Sequence, residues 1–129
     1  MAFTHVLTFN VAGPLAINRS VTLTEEKEIN VEVTIPIAAS DLEVEYVAVL
    51  ARLASFYMVA DQDLTIKTND AGSPDATLNI TKDNPFSWYP GQVVPLTDVF
   101  VADITALYIT NGSGVEATFS IRSLIDPTP

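Results

Sequence analysis

The chain has 129 residues, no cysteine, and a formal net charge of −10 from sixteen acidic and six basic residues. That length fits one domain spanning residues 1–129 and burying roughly two-thirds of the surface its unfolded chain exposes. The missing cysteine excludes disulfides, thiolate nucleophiles and cysteine-ligated metal centres, and the six cations are dispersed singly, so no track for nucleic acid exists and an anionic membrane is disfavoured.

Taken from the start, MAFTHVLTFNV has neither a basic n-region nor a long apolar core, so the expectation is a chain without a signal peptide, made in the cytoplasm. His5, Leu7, Phe9 and Val11 alternate with Thr4, Val6, Thr8 and Asn10, a strand pattern that returns at Val21 and Leu23 after the Gly13-Pro14 turn. KEINVEVTIPI is the clearest strand. Ile29, Val31, Val33, Ile35 and Ile37 share one face, Glu28, Asn30, Glu32 and Thr34 the other, and Pro36 puts the end near a sheet edge.

The segment SDLEVEYVAVLARLASFYM reads two ways. Ser40 to Glu43 has capping-box form and Leu50, Leu53, Ala54 and Tyr57 have helical spacing, whereas VEYVAV alternates and is β-branched. The preferred reading is a strand over 43–49, one helical turn over 51–54 and a strand over 56–60. Its apolar run, 14 residues from Val47 to Ala60 and broken by Arg52, is too short for a membrane span of about 20 residues and reads as core.

Further alternating pairs fall at Leu64-Ile66, Leu78-Ile80, Leu107-Ile109 and Phe119-Ile121. Turn residues separate them at 61–63, 70–75, 90–91 and 111–114, and the tail leaves the sheet at Asp126. ARLASFYMVADQDLTIKT and ADITALYITNGSGVEATFSIR share a plan, which suggests two β-units paired with pseudo-symmetry. Together these patterns predict an all-β fold: an antiparallel β-sandwich, jelly-roll-like, with at most one short helix.

No enzyme motif stands out. The loop TNDAGSPDATLNIT carries Asp70 and Asp75 near Asp61 and Asp63, but its spacing does not fill a calcium EF-hand, and a plain turn is preferred. His5 is the single histidine; without a nucleophile elbow it reads as a strand residue, not a catalytic base. Glu43 with Glu45, and Glu28 with Glu32, lie on single strands and do not face each other across a cleft as glycosidase carboxylates must. The Asn-x-Ser/Thr triplets at Asn18, Asn79 and Asn111 are read as strand and turn chemistry. The expectation is therefore no catalytic residue, no cofactor and no metal site. FSWYPGQ is the densest aromatic segment; placed on a loop, Phe86, Trp88 and Tyr89 are candidates for a protein interface, while Trp88 could equally close one end of the sandwich.

Across its C-terminal half to two-thirds, the chain resembles small β-sandwich virion proteins of tailed phages and prophages. The resemblance rests on Leu64 to Asn69, Ser73-Pro74, Trp88, Leu107 to Asn111 and the tail Ile121 to Pro127. It implies a non-enzymatic capsid decoration or cementing protein found in the virion. Its implied partners are sibling copies, as a trimer or another homo-oligomer, and phage capsid subunits; the arm Met1 to Val6, outside the resemblance, is a further candidate contact beside Phe86, Trp88 and Tyr89. A carbohydrate- or cell-surface-binding module, calcium-assisted at the Asp loops, is the alternative.

Overall fold

The structure is a computed structural model that describes residues 2–14, 17–92 and 94–127. Met1 of the arm, the side chain of Val11, and Thr128 and Pro129 of the tail lie outside the described residues.

Among the described residues ten strands follow one another: β1 (Phe3–Val11), β2 (Ile17–Glu25), β3 (Lys27–Ile35), β4 (Leu42–Val44), β5 (Leu53–Ala60), β6 (Leu64–Thr68), β7 (Thr77–Ile80), β8 (Phe86–Trp88), β9 (Leu107–Thr110) and β10 (Ala117–Ile125). A 3-10 turn at Leu50–Arg52 and one α-helical turn at Leu96–Val99 complete the described elements. The last eight strands form two antiparallel four-stranded sheets, ordered β3-β10-β5-β8 and β4-β9-β6-β7. That interleaving, in which every strand but β7 pairs with one far along the chain, is the jelly-roll order of two nested Greek keys. β1 and β2 form a separate antiparallel hairpin with an unbroken nine-residue register.

The core is the sum of the two inner faces. Phe119, Ile121, Phe56 and Met58 from the first sheet meet Leu64, Ile66, Leu107 and Ile109 from the second, and all are essentially inaccessible. Inside this core the Tyr46 hydroxyl bonds the Ser123 hydroxyl at 2.5 Å. Burial pushes the Tyr46 phenol up from 10 to about 12, with the Ser123 bond pulling weakly the other way. A raised phenol favours the neutral form of the fold: its contribution is complete below pH 10 and is lost as the pH rises from 10 towards 12. We expect wild-type stability to fall by about 2–3 kcal/mol over that interval, and alkaline denaturation curves of Tyr46→Phe to lack the tyrosine's share of that fall.

Three expectations need correction. Ile37 is not a core residue: β3 stops at Ile35, because Pro36 has no amide for the ladder and Ala38 turns the chain at φ +61°, leaving Ile37 61% exposed. The strand expected over 43–49 keeps its ladder only to Val44. Beyond it Tyr46 and Ala48 are buried and Glu45, Val47 and Val49 exposed, with a single bridge from Ala48 to Ile104. The period was legible, but the pairing strand β9 begins only at Leu107. FSWYPGQ is not wholly a loop, since Phe86–Trp88 is edge strand β8, paired with β5.

The internal echo has a structural counterpart. β5 pairs with β10 and β6 with β9, so exchanging β5 for β9 and β6 for β10 maps one pair onto the other. The repeated plan supplies the four central strands of the two sheets.

Candidate functional site

The loop aspartates are occupied in shaping turns. Asp61 Oδ1 accepts the Thr118 amide at 2.7 Å, Asp63 Oδ1 the Lys82 amide at 2.7 Å and Asp70 Oδ1 the Gly72 amide at 3.0 Å, while Asp75 Oδ2 accepts the Asn69 side-chain amide at 2.7 Å. Among the described residues no group of three or more His, Asp or Glu side chains converges to hold a metal ion. Each carboxylate thus serves a different segment. Millimolar calcium is expected to leave the melting temperature unchanged, as a calorimetric scan with and without it would show.

The two Thr-Asn pairs that end β6 and β9 organise the loops. Asn69, at φ +70°, accepts the Thr105 amide on Oδ1 at 2.7 Å and donates from Nδ2 to Asp75 and to the Asp103 carbonyl. Asn111 is buried, and its side chain donates to the carbonyls of Val115, Ile35 and Pro36 at 2.7, 3.2 and 3.3 Å. Its Oδ1 accepts both the amide and the hydroxyl of Ser113. Of the motifs that carried the resemblance, Asn69 and Asn111 are, in this molecule, loop-closing residues.

His5 meets Glu28 across the hairpin–sheet boundary, with Nε2 2.5 Å from Oε2, and Asn30 bonds the other Glu28 oxygen. The His5 bond holds the Glu28 carboxyl below its usual value of 4.5, helped by Asn30 and the Arg122 charge and opposed by partial burial. A depressed carboxylate stabilises the fold above its unfolded pKa and loses that contribution as the pH falls through the folded one. Acid titration of His5→Ala should therefore lose less stability below pH 4.5 than wild type.

The aromatic candidates separate. Register places Phe86 opposite Met58 and Trp88 opposite Phe56, on the inner face, where both rings pack against the core while remaining half-exposed. Phe86 meets Phe56 edge-on at 5.5 Å. Trp88 therefore closes the sandwich at its β8 edge. Tyr89 turns away towards the hairpin and lies 6.2 Å from Phe9.

These contacts fix how the hairpin lies. His5 reaches β3 and Phe9 reaches the end of β8, so β1 crosses the whole outer face of the first sheet. Three inter-strand steps and four extended residues both measure about 14 Å, which makes the crossing nearly perpendicular. β2 lies against β10 and β5. Beneath it, Leu124 is fully buried although register with Glu28 and Ser55 puts it on the outer face, away from the central core.

The hairpin's far face presents Thr4, Val6, Thr8, Asn10, Asn18, Ser20, Thr22 and Thr24, all exposed, with hydroxyl pairs Thr4–Thr24 and Thr8–Ser20 bonded across the strands. All sixteen carboxylates of the chain fall at or after Glu25, so this face is uncharged on an otherwise acidic molecule. Alongside β1 runs a groove of about 560 Å³. Residues 4–9 form its wall, and Tyr57, Ser87 and Arg122, from the outer face of β5, β8 and β10, form its floor. Those floor residues were not singled out from sequence, where Tyr57 and Arg122 are ordinary strand positions and Ser87 falls in a segment read as a loop. The available signal was the absence of acid from residues 1–24.

No protein-family model matches the chain, and no curated protein matches it. Among solved structures it is similar to a de novo designed double-stranded β-helix determined by solution NMR, at 14% identity over 76% of this chain and 99% of the designed one, with a TM-score of 0.40.

Proposed function

We propose that the chain is a non-enzymatic structural protein of a tailed-phage virion, a decoration or cementing protein that binds capsid subunits and sibling copies. The observation that supports this most is the hairpin's uncharged far face. An acidic protein repels its own copies and other acidic surfaces; a flat, carboxylate-free face of nine-residue strands is where a neighbour can approach without that repulsion. The resemblance carried by Leu64 to Asn69, Trp88 and Leu107 to Asn111 points the same way. A jelly roll hosts capsid and lectin functions alike, so the fold does not choose between them.

In this reading the hairpin and Tyr89 meet neighbours, while Phe86 and Trp88 brace the β8 edge behind them. Each added contact spans a seam between capsid subunits and must be opened before the shell can part. Light scattering after size exclusion tests the self-contact: a trimer or larger assembly, indifferent to calcium, is expected. Co-pelleting with phage heads that lack the protein tests the capsid contact, and a chain left wholly in the supernatant would refute it.

A glycan-binding module is the second reading. It draws on a depression of about 350 Å³ on the outer face of the second sheet, lined by Thr65, Asn79, Thr81, Thr110 and Ser113 among others. These hydroxyl and amide groups suit sugar hydroxyls, and a sugar-dependent rise in melting temperature would favour it.

A further inference from the structure

We infer that the groove beside β1 receives an extended, carboxylate-bearing segment of a partner protein, which adds to the hairpin as a third strand. The inference names the chemistry of the capsid contact proposed above and rests on that reading only for the partner's identity.

The first ground is the edge itself. Successive side chains of a strand point to opposite faces, so six consecutive residues can line one space only along the strand's edge. Residues 4–9 do so, and among the described residues β1 has no strand on that side. Exposed edges invite pairing, and proteins guard them with charge, proline, bulges or shortness. The other edges here are guarded: β4 and β8 are three residues long, β7 four, β3 carries Lys27, Glu28 and Glu32, and β2, the hairpin's other edge, carries Arg19 and Glu25. β1 is nine residues long, without charge, proline or break in register. It is the edge left open for use.

The second ground is charge. None of the sixteen acidic residues lines the groove, whereas the exposed Arg122 does. Glu28, the nearest carboxylate of the clasp, is already held by His5 and Asn30 and feels the Arg122 charge more weakly than either. Arg122 beside Tyr57 therefore offers a cation to a guest carboxylate, and a groove of this sign on an acidic molecule discriminates between guests.

The third ground is shape. The floor is the outer face of the first sheet, extending past the β1 edge. A second folded copy would bring its own sheet beneath its hairpin and collide with that floor, while a single extended segment enters freely. Strand addition of this kind takes its affinity from backbone hydrogen bonds and its specificity from alternate side chains.

The test uses a displayed library of random octapeptides selected on the full-length protein. Enriched peptides should alternate apolar residues, lack proline at their centre and carry Asp or Glu. They should bind Arg122→Glu at least tenfold more weakly, with Arg122→Gln intermediate, and should slow amide exchange in β1. The absence of enrichment overturns the inference, as do peptides that bind all three proteins equally and leave β1 exchange unchanged. Co-pelleting of Arg122→Glu with phage heads separates the two claims: heads that retain the variant as well as wild type leave the virion reading standing and remove this groove as its contact.

Discussion

Replacing Asn111 with alanine should lower stability by about 3 kcal/mol, and the melting temperature by about 10 °C for a chain of this length. The size follows from what the side chain closes. Its amide is the donor shared by three carbonyls, two at the exit of β3 and one ahead of β10, and its oxygen holds the Ser113 turn. Alanine removes that shared donor, leaving the Pro36 and Val115 carbonyls only the Ala39 amide and the Ser113 hydroxyl, and it frees the Ser113 turn. Asn111→Asp is the sharper comparison. It keeps the shape and the acceptor but turns a carboxylate towards carbonyl oxygens, so it should be at least as damaging at neutral pH and should recover part of the loss in acid. A denaturation series on both variants decides the matter: a melting temperature within about 2 °C of wild type for either would mean that Asn111 is not the fastener described.

Leu124→Ala should cost about 2–4 kcal/mol, the range for a buried leucine whose site cannot fully collapse, and the loss should appear first in the hairpin. Leu124 sits apart from the central core, under β2, on the outer face of the first sheet. An isolated two-stranded hairpin is marginal in water, so β1 and β2 depend on what they cover. Amide exchange in residues 3–25 should therefore accelerate well before that of β5, β9 and β10. Uniform acceleration across all strands would show that hairpin and sandwich unfold as one unit and that Leu124 is not the joint between them.

Much of the sandwich was legible because period-two alternation with β-branched residues has few other readings. β3, β5, β6, β9 and β10 all lie where that pattern puts them, within the slack of their ends. The aspartate loops were legible as turns for a chemical reason: short acceptors beside free amides close chains. What escaped was set by distant parts of the chain. Nothing local to VEYVAV says that its partner strand begins too late to continue the ladder. Nothing local to FSW shows a strand of three residues. The hairpin's alternation revealed two faces but not that one rests across β3-β10-β5-β8 as a third layer. The clasp between His5 and Glu28, and the groove floor of Tyr57, Ser87 and Arg122, arise from that crossing alone.

The pairing of β3 with β10 joins Lys27 to Ile125, across almost the whole chain. Such distant partners make folding slow, because the loop between them must close before any contact rewards it. A growing chain meets this in a particular order. The hairpin leaves the ribosome before the eight strands of the sandwich and can form locally, yet the surface it must cover, Leu124 included, belongs in part to β10, which is made after the other nine. Until translation reaches β10 the first twenty-five residues have nowhere to settle. Their low charge and open edge are then hazards, and the fourteen carboxylates from Glu26 to Glu116 keep the unfinished chain dispersed.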